Sequence, residues 1–226
     1  MTTLSITERD RTILRALLHK VPLLSLNSLS ELWPDTDAGR DNMARRVWQL
    51  QDAGLISQHS LPVQSAPTVA LFYGWAPGME DLDFGSAAWA LSKRWAALEA
   101  RRVPFVTATP RAASRYGQVI RNPLRSTSAI AHNLGLGQVY MHYLVHEPLL
   151  ASAWVAEEVI AAARGHGEKV VDACIVNSAS TPALAVEFAG ASYAASNGER
   201  LREIHRDCSA RGLAYEMWTV SEGGAE

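Results

Sequence analysis

The sequence is poor in cysteine and has no long apolar run. Its 226 residues include two cysteines, Cys174 and Cys208, which are too few for a disulfide framework or a cysteine-based zinc site. No apolar run approaches the roughly 20 residues that span a bilayer, and the polar residues 1–10 do not resemble a signal peptide. We therefore expect a cytoplasmic protein with reduced, buried thiols and no membrane partner. A glycine-rich P-loop is also missing, which argues against an ATPase.

Lysine is scarce, and one long stretch has no acidic residue. Of the 21 lysines and arginines in the chain, three are lysines. Residues 100–146 contain six arginines and neither Asp nor Glu, although the whole chain has a formal net charge of -2. Because arginine makes two-pronged contacts with phosphate, this stretch is a candidate for nucleic-acid contact. A GC-rich genome would explain the excess of arginine over lysine but not the missing acids.

The first 55 residues predict three helices. In "SITERDRTILRALL", Thr7 is a good N-cap and Asp10 follows three residues later. The second helix is expected in "SLNSLSELW". The third is expected in "RDNMARRVWQLQDAGLI", where Met43, Val47 and Leu50 recur at helical spacing. A short connection between the second and third helices indicates a helix-turn-helix.

Two β-prone runs follow these helices, "LISQHSL" and "TVALFYGW". They predict a hairpin, and hence a winged helix whose third helix enters the DNA major groove. The exposed face of that helix is expected to carry side chains able to read base edges, namely Arg40, Asn42, Arg45, Arg46 and Gln49. Winged helices also serve as protein-interaction modules, and residues 1–99, with nine basic and eleven acidic residues, are not net basic.

Between the two halves of the chain we expect a further helix and then a basic arm. The helix, "FGSAAWALSKRWAALEARR", places Trp89 and Trp95 near one face. We expect it to pair with its copy in a homodimer, although both tryptophans could equally pack against the second domain. Residues 101–126 are predicted to be a phosphate-tracking arm, or a linker kept solvated by its charge. Its candidate DNA-binding residues are Arg111, Arg115, Arg121 and Arg125.

Residues 127–226 suggest the order helix, strand, strand, strand, helix, strand. "TSAIAHNLGLGQVYMHYLVHE" predicts two short helices broken at Gly135, and "AWVAEEVIAAARG" fits either a strand or a helix. "KVVDACIVN" and "ALAVEFAG" predict a hairpin, "NGERLREIHRDCSARG" a helix and "LAYEMWTV" a last strand. This order is that of the restriction-endonuclease-like, PD-(D/E)XK core.

In such a core, acids from neighbouring strands meet at one edge and hold a divalent cation. The candidate metal ligands and catalytic acids are Asp172 and Glu187, with Glu157 or Glu158 as a third carboxylate. A bound Mg2+ or Mn2+ would polarise the phosphate and help to form the attacking hydroxide. A lysine two residues after the second acid usually stabilises the developing charge, but Ala189 stands there. The pattern therefore fits either an active nuclease or a degenerate one.

Several segments resemble the replication-relaxation family of plasmid and mobile-element proteins: "AIAHNLGLGQVYMHYL", "WVAEE", "VVDACIV" and "ALAVEFAGASYAASNGERLREIH". In that family a winged helix precedes an "H-x-L-x-V" helix, a "W-x-x-E" strand, a "PDA" strand and a strand ending in "E-x-D/E-R". The positions here that correspond to those motifs are His132, Leu134, Leu136, Trp154, Glu157, Asp172, Ala173 and Glu187. Val171 replaces the usual proline, and Ala189 and Gly190 replace the usual polar pair. The resemblance implies DNA work on mobile elements, but it does not imply cutting.

These patterns predict an α+β protein with a winged helix-turn-helix over residues 1–100 and the basic arm over 101–126. A PD-(D/E)XK nuclease-like domain, catalytically degenerate, is expected over residues 127–226. We expect a homodimer that binds double-stranded DNA, with other mobile-element proteins as further partners, in replication, relaxation or transcriptional control. The alternatives are a metal-dependent nuclease or nickase that uses Asp172 and Glu187, and a protein-interaction adaptor.

Overall fold

The computed structural model describes residues 4–65, 68–117, 124–162, 171–196 and 198–221. Helices and two β-sheets are mixed along this part of the chain, which confirms the α+β class. The helices are α1 (Glu8–His19), α2 (Leu26–Ser30), α3 (Asp37–Asp52), α4 (Phe84–Ala96), α5 (Pro110–Tyr116), α6 (Thr127–His146), α7 (Pro148–Ser152), α8 (Glu157–Ala162), α9 (Ala191–Ala195) and α10 (Glu199–Ala210). The strands are β1 (Leu24–Ser25), β2 (Ile56–Gln64), β3 (Val69–Trp75), β4 (Ala100–Ala108), β5 (Trp154–Ala156), β6 (Ala173–Val176), β7 (Pro182–Phe188) and β8 (Ala214–Val220).

The first three helices begin and end where local chemistry favours it. Thr7 caps α1, because its hydroxyl accepts a hydrogen bond from the Asp10 amide while the Asp10 carboxylate accepts one from the Thr7 amide. Met43 and Val47 lie on the buried side of α3. Gly54 follows α3 with a φ of 68°, a left-handed conformation that glycine adopts at little cost.

The first sheet has the order β1-β4-β2, with both pairs antiparallel. The predicted hairpin between residues 55–61 and 68–75 is therefore wrong: β2 pairs along its whole length with β4, from Ile56 opposite Ala108 to Gln64 opposite Ala100. Residues 101–108, expected to begin an arm, instead form the middle strand of this sheet. Alternating apolar residues predict a strand but not its partner, and the buried Phe105 and Val106 of β4 supply the central apolar positions.

The second sheet has the order β3-β8-β7-β6-β5. Its β6–β7 hairpin is confirmed, with Ala173 opposite Val186. Strand β8 runs parallel to β7 after the crossover through α10, and β3 pairs antiparallel with β8 at the edge of the sheet. The predicted order of helix, three strands, helix and strand is thus present as α6, β5, β6, β7, α10 and β8, with the short helices α7, α8 and α9 in the connections.

Helix α6 is continuous, so the predicted break at Gly135 is wrong. A Cβ at Gly135 would lie 2.0 Å from Cζ of Phe188, and one at Gly137 would lie 2.7 Å from the carbonyl oxygen of Leu23. The two glycines allow α6 to pack closely against Phe188 of β7 and against the backbone at Leu23, just before β1. This close packing offsets the roughly 1 kcal/mol by which glycine weakens a helix interior relative to alanine.

The two halves share one apolar core. Leu24 and Leu50 from the N-terminal half belong to the same buried cluster as Ile175 and Phe188 from the C-terminal half. On α4, the indole of Trp95 is buried, and its Nε1 donates a hydrogen bond to the Ala189 carbonyl at 3.0 Å. Within the described residues, no helix is long and apolar enough to cross a membrane.

Candidate nucleic-acid interface and acidic site

Arg46, a predicted base-reading residue, is held inside the N-terminal half. Its Nε donates to Oδ1 of Asp10 at 2.8 Å, and its Nη2 also contacts the other carboxylate oxygen. The same guanidinium donates to the Ser5 carbonyl at 2.6 Å and to Oε1 of Gln49 at 2.8 Å. Burial of Asp10 favours a raised pKa, but hydrogen bonds from Arg46 and Thr7 outweigh it and lower the pKa. Arg46 therefore joins α3 to α1, and its charge is largely neutralised.

The other two arginines of α3 differ in their partners. Arg40 makes ion pairs with Asp35 at 2.8 Å and Asp37 at 2.6 Å. Arg45 hydrogen-bonds to the side-chain oxygen of Asn42, and within the described chain it has no acidic partner. Of these three arginines, Arg45 thus has the charge most available to an external phosphate.

A cavity of about 420 Å³ lies beside α3, and its lining includes Asn42, Arg45 and Gln49 of α3 and Arg9 of α1. The Arg9 guanidinium lies 4.5 Å from the ring centroid of Trp33, a cation–π contact that orients it. Arg9 was not among the sequence-predicted residues. It lies in the first turn of α1, and no local pattern indicates that this turn adjoins α3.

The predicted basic arm contributes a second group of arginines next to α3. Arg111 and Arg115 belong to α5 and line a groove of about 750 Å³ with Trp48 and Gln49 of α3. We call this the α3–α5 groove; its other lining residues are Leu4, Ser5, Ile6, Asp52, Ala53 and Leu55. In the described part of the chain, neither Arg111 nor Arg115 has an ion-pair partner. Gln49 lines both this groove and the smaller cavity, so the two concave surfaces adjoin.

The other two candidate arginines of the predicted arm are Arg125 and Arg121. Arg125 is exposed just before α6 and is not among the groove residues. Arg121 lies outside the described residues. Trp48, which sequence reasoning did not single out, is 60% exposed on α3. Its position out of phase with the buried Met43 and Val47 is the signal that could have identified it.

Asp172 and Glu187 are brought together at one edge of the second sheet. Asp172 immediately precedes β6, and Glu187 is the sixth residue of β7. The Asp172 amide donates to Oε2 of Glu187 at 3.1 Å, and both side chains are buried or nearly so. The hairpin register therefore places the two predicted acids side by side.

Protein donors occupy all four oxygens of these two carboxylates. Oδ1 of Asp172 lies 3.1 Å from Nε2 of His132 on α6, and Oδ2 accepts from the Phe188 amide at 2.8 Å. Oε2 of Glu187 accepts from the Asp172 amide, and Oε1 accepts from the hydroxyl of Tyr193 on α9. Sequence reasoning noted His132 as a family position but did not place it or Tyr193 against the acids.

Charge at this site shifts two pKa values strongly. Burial alone would lower the pKa of His132, but the charge and hydrogen bond of Asp172, with the charges of Glu187 and Glu157, raise it to about 9. Burial and the charge of Glu187 raise the pKa of Tyr193 well above its ordinary value. At neutral pH the cluster therefore contains an imidazolium and an intact phenol.

Among the residues that the structure describes, the remaining features of a metal-dependent nuclease are not assembled. The amide of Glu157 donates to the carbonyl of Asp172 at 3.0 Å, which places the start of α8 beside the acids. In the segments that the structure describes, no group of three or more His, Cys, Asp or Glu side chains is arranged to hold a metal ion. Ala189 is fully buried, and its carbonyl accepts from Trp95 and from Thr219. Because protein groups already bond to the oxygens of Asp172 and Glu187, the described residues do not fit Mg2+ or Mn2+.

Compared with models of protein families, with curated proteins and with solved structures, the chain matches none of them.

Proposed function

We propose that this protein binds double-stranded DNA through its N-terminal half and does not cut it. The observation that carries the proposal is the meeting of two separately predicted groups, because Arg111 and Arg115 of α5 share a groove with α3. Arg9 and Arg45 extend the same surface through the adjoining cavity. Arginines without acidic partners are well suited to phosphate contacts, which supply most sequence-independent affinity for DNA.

The topology of the N-terminal half supports a winged helix as the binding module. Three helices are followed by β2 and β4, and the sheet order β1-β4-β2 is that of a winged helix whose wing strands are β2 and β4. Residues 65–99 would then be an insertion between the two wing strands. In this arrangement α3 is the helix that enters the major groove.

The sheet of the C-terminal half supports a PD-(D/E)XK-like core that has lost its chemistry. Asp172 and Glu187 meet as such a core requires, but His132 and Tyr193 bond to their oxygens and Ala189 replaces the lysine. The resemblance to replication-relaxation proteins would place the DNA on plasmids or other mobile elements. A homodimer, other mobile-element proteins as partners and a cytoplasmic location stay predictions.

DNA binding is tested by measuring the affinity for a labelled duplex over a range of salt concentrations. Replacing both Arg111 and Arg115 by alanine should lower the magnitude of the slope of log K against log salt by about 2, because each lost phosphate contact contributes about 0.9. The control replaces Arg206 of α10 and Arg211, which directly follows α10, and so takes away the same charge elsewhere. An unchanged slope in the α5 variant would remove α5 from the interface. No binding to any duplex at low salt would favour the protein-interaction adaptor.

The absence of cutting is tested separately with supercoiled plasmid in Mg2+ and in Mn2+. We expect no nicking by the wild-type protein. Nicking that disappears in Glu187→Ala would overturn this part of the proposal and establish the nuclease alternative, whatever the outcome of the binding measurements.

A further inference from the structure

Trp48 is an exposed aromatic residue on an otherwise polar surface of α3. Its side chain is 60% exposed, while the other apolar residues of the helix core, Met43, Val47 and Leu50, are buried. Single exposed apolar residues are common on protein surfaces, so the case for a ligand rests on what surrounds Trp48.

Two cationic side chains lie in the same groove as this indole. Arg111 and Arg115 line the α3–α5 groove with Trp48, and Asp52 is the acidic residue that lines it. The groove therefore carries a net positive charge next to an aromatic face. Its volume of about 750 Å³ is within the usual range of small-ligand sites, roughly 300–1,000 Å³.

The groove is fixed on both sides by hydrogen bonds rather than formed by loose side chains. The hydroxyl of Thr109 donates to the Gly54 carbonyl at 2.6 Å, and its amide donates to the Leu55 carbonyl at 3.1 Å. These bonds hold the start of α5 against the end of α3. The stem of Arg111 lies over Gly54, where a Cβ would be 3.4 Å from its Cδ. On the other side, the bond from Arg46 to Ser5 holds the N-terminal segment against α3.

An aromatic side chain that shares a groove with two guanidinium groups is complementary to a nucleotide whose base is unstacked. In a fully paired duplex both faces of each base are covered by neighbouring bases, so a protein ring can stack only on a base that has left the helix. We propose that Trp48 stacks on an unpaired base while Arg111 and Arg115 hold the neighbouring phosphates, so that the protein prefers DNA with an unpaired nucleotide. This inference rests on the proposed DNA binding and adds the kind of DNA that the surface selects.

The preference is measured with two labelled duplexes that differ by one unpaired thymine. We expect the wild-type protein to bind the duplex with the unpaired base about tenfold more tightly, the order of effect of one stacked base. Trp48→Ala should abolish this preference, measured as the ratio of the two affinities, and Trp48→Phe should keep most of it. Trp89→Ala is the control, because Trp89 is 61% exposed but belongs to α4.

A crosslinking experiment gives a second readout that does not depend on affinity. With 5-iodouracil at the unpaired position, ultraviolet light should crosslink the base to Trp48, as located by mass spectrometry. Equal binding of the two duplexes, a preference that survives Trp48→Ala, or a crosslink outside the α3–α5 groove would overturn the inference. Binding to paired duplex would still stand in each of these cases, whereas loss of all DNA binding would overturn both proposals.

Discussion

Nε2 of His132 lies 3.1 Å from Oδ1 of Asp172, so that α6 supplies a positive charge to the acid pair of the second sheet. In an active metal-dependent site, a metal ion would supply that charge. The imidazolium instead neutralises part of the buried negative charge of Asp172 and Glu187. The contact between His132 and Asp172 therefore contributes to the free energy of unfolding, and this contribution can be measured.

Stability should depend on pH through His132. The pKa of His132 is raised from 6.5 to about 9 in the folded protein. A raised pKa stabilises the fold fully below pH 6.5 and loses that contribution as pH rises through about 9. The free energy of unfolding should therefore fall by up to about 3 kcal/mol across this window. Urea denaturation at several pH values measures this fall.

The control for that measurement is His132→Gln, which has a neutral amide in place of the imidazole. Its stability should show a flatter profile in the same window, and the difference between the two profiles isolates His132 from the other histidines. Parallel profiles for the two proteins would contradict the assignment of the pH dependence to this residue.

Arg45 and Arg46 are neighbours in sequence, but their replacement should have different effects. Arg46→Ala leaves the fully buried carboxylate of Asp10 without its cation, which should lower the free energy of unfolding by about 3–5 kcal/mol. Arg45→Ala should change stability by less than about 0.5 kcal/mol, because Arg45 is exposed, while weakening DNA binding. Chemical denaturation and a duplex-binding measurement on the same two variants separate these roles. Similar stabilities for both variants would refute the structural role of Arg46.

Restoring the missing lysine should not restore a nuclease. Ala189 is fully buried and its carbonyl accepts a hydrogen bond from the indole of Trp95, so Ala189→Lys forces an ammonium group and four methylenes into the packed interior. We expect a loss of more than about 3 kcal/mol in the free energy of unfolding, and no nicking of plasmid in Mg2+ or Mn2+. Ala189→Ser, a much smaller change, should be tolerated better. A stable Ala189→Lys variant that nicks plasmid would refute this prediction.

Gly135→Ala should destabilise the protein although alanine favours helices. The added methyl group would lie 2.0 Å from Cζ of Phe188, so the ring or the helix must move, at a cost of about 1–3 kcal/mol that exceeds the gain in helix propensity. Gly74→Ala is the control, because nothing lies within 4 Å of a Cβ there. Thermal denaturation of the two variants compares them directly, and equal melting temperatures would show that Phe188 adjusts freely.

Local features of this protein were predictable from sequence. Thr7 caps α1 because the capping box needs only residues three apart, and the β6–β7 hairpin forms because two β-prone runs are joined by a short turn. The same hairpin brings Asp172 beside Glu187. In each case the interacting residues are close in sequence, so the pattern contains the information.

The relationships that sequence reasoning missed join distant residues. Asp10 and Arg46 are 36 residues apart and His132 and Asp172 are 40 apart, and no periodicity indicates such pairs. A local pattern also does not indicate which strand pairs with which. The sequence therefore predicts that β2 pairs with β3, whereas in the structure it pairs with β4. The sequence predicts a helix break at Gly135, because the use of a glycine as a contact surface depends on what packs against it.

Strand β3 lies in sequence between β2 and β4 of the first sheet, but it belongs to the second sheet, where it pairs with β8. Helix α4 then connects β3 to β4. The segments that form the two sheets therefore alternate along the chain, and the sheets are not built from two consecutive segments. A fragment ending at residue 100 would lack the middle strand of its own sheet, and a fragment starting at residue 101 would lack an edge strand of the other. All strands of the first sheet lie within residues 24–108, whereas β3 has no partner until β8 has been synthesised. Because one buried cluster joins the two halves, the DNA-contacting surface and the acidic cluster should unfold in one cooperative transition.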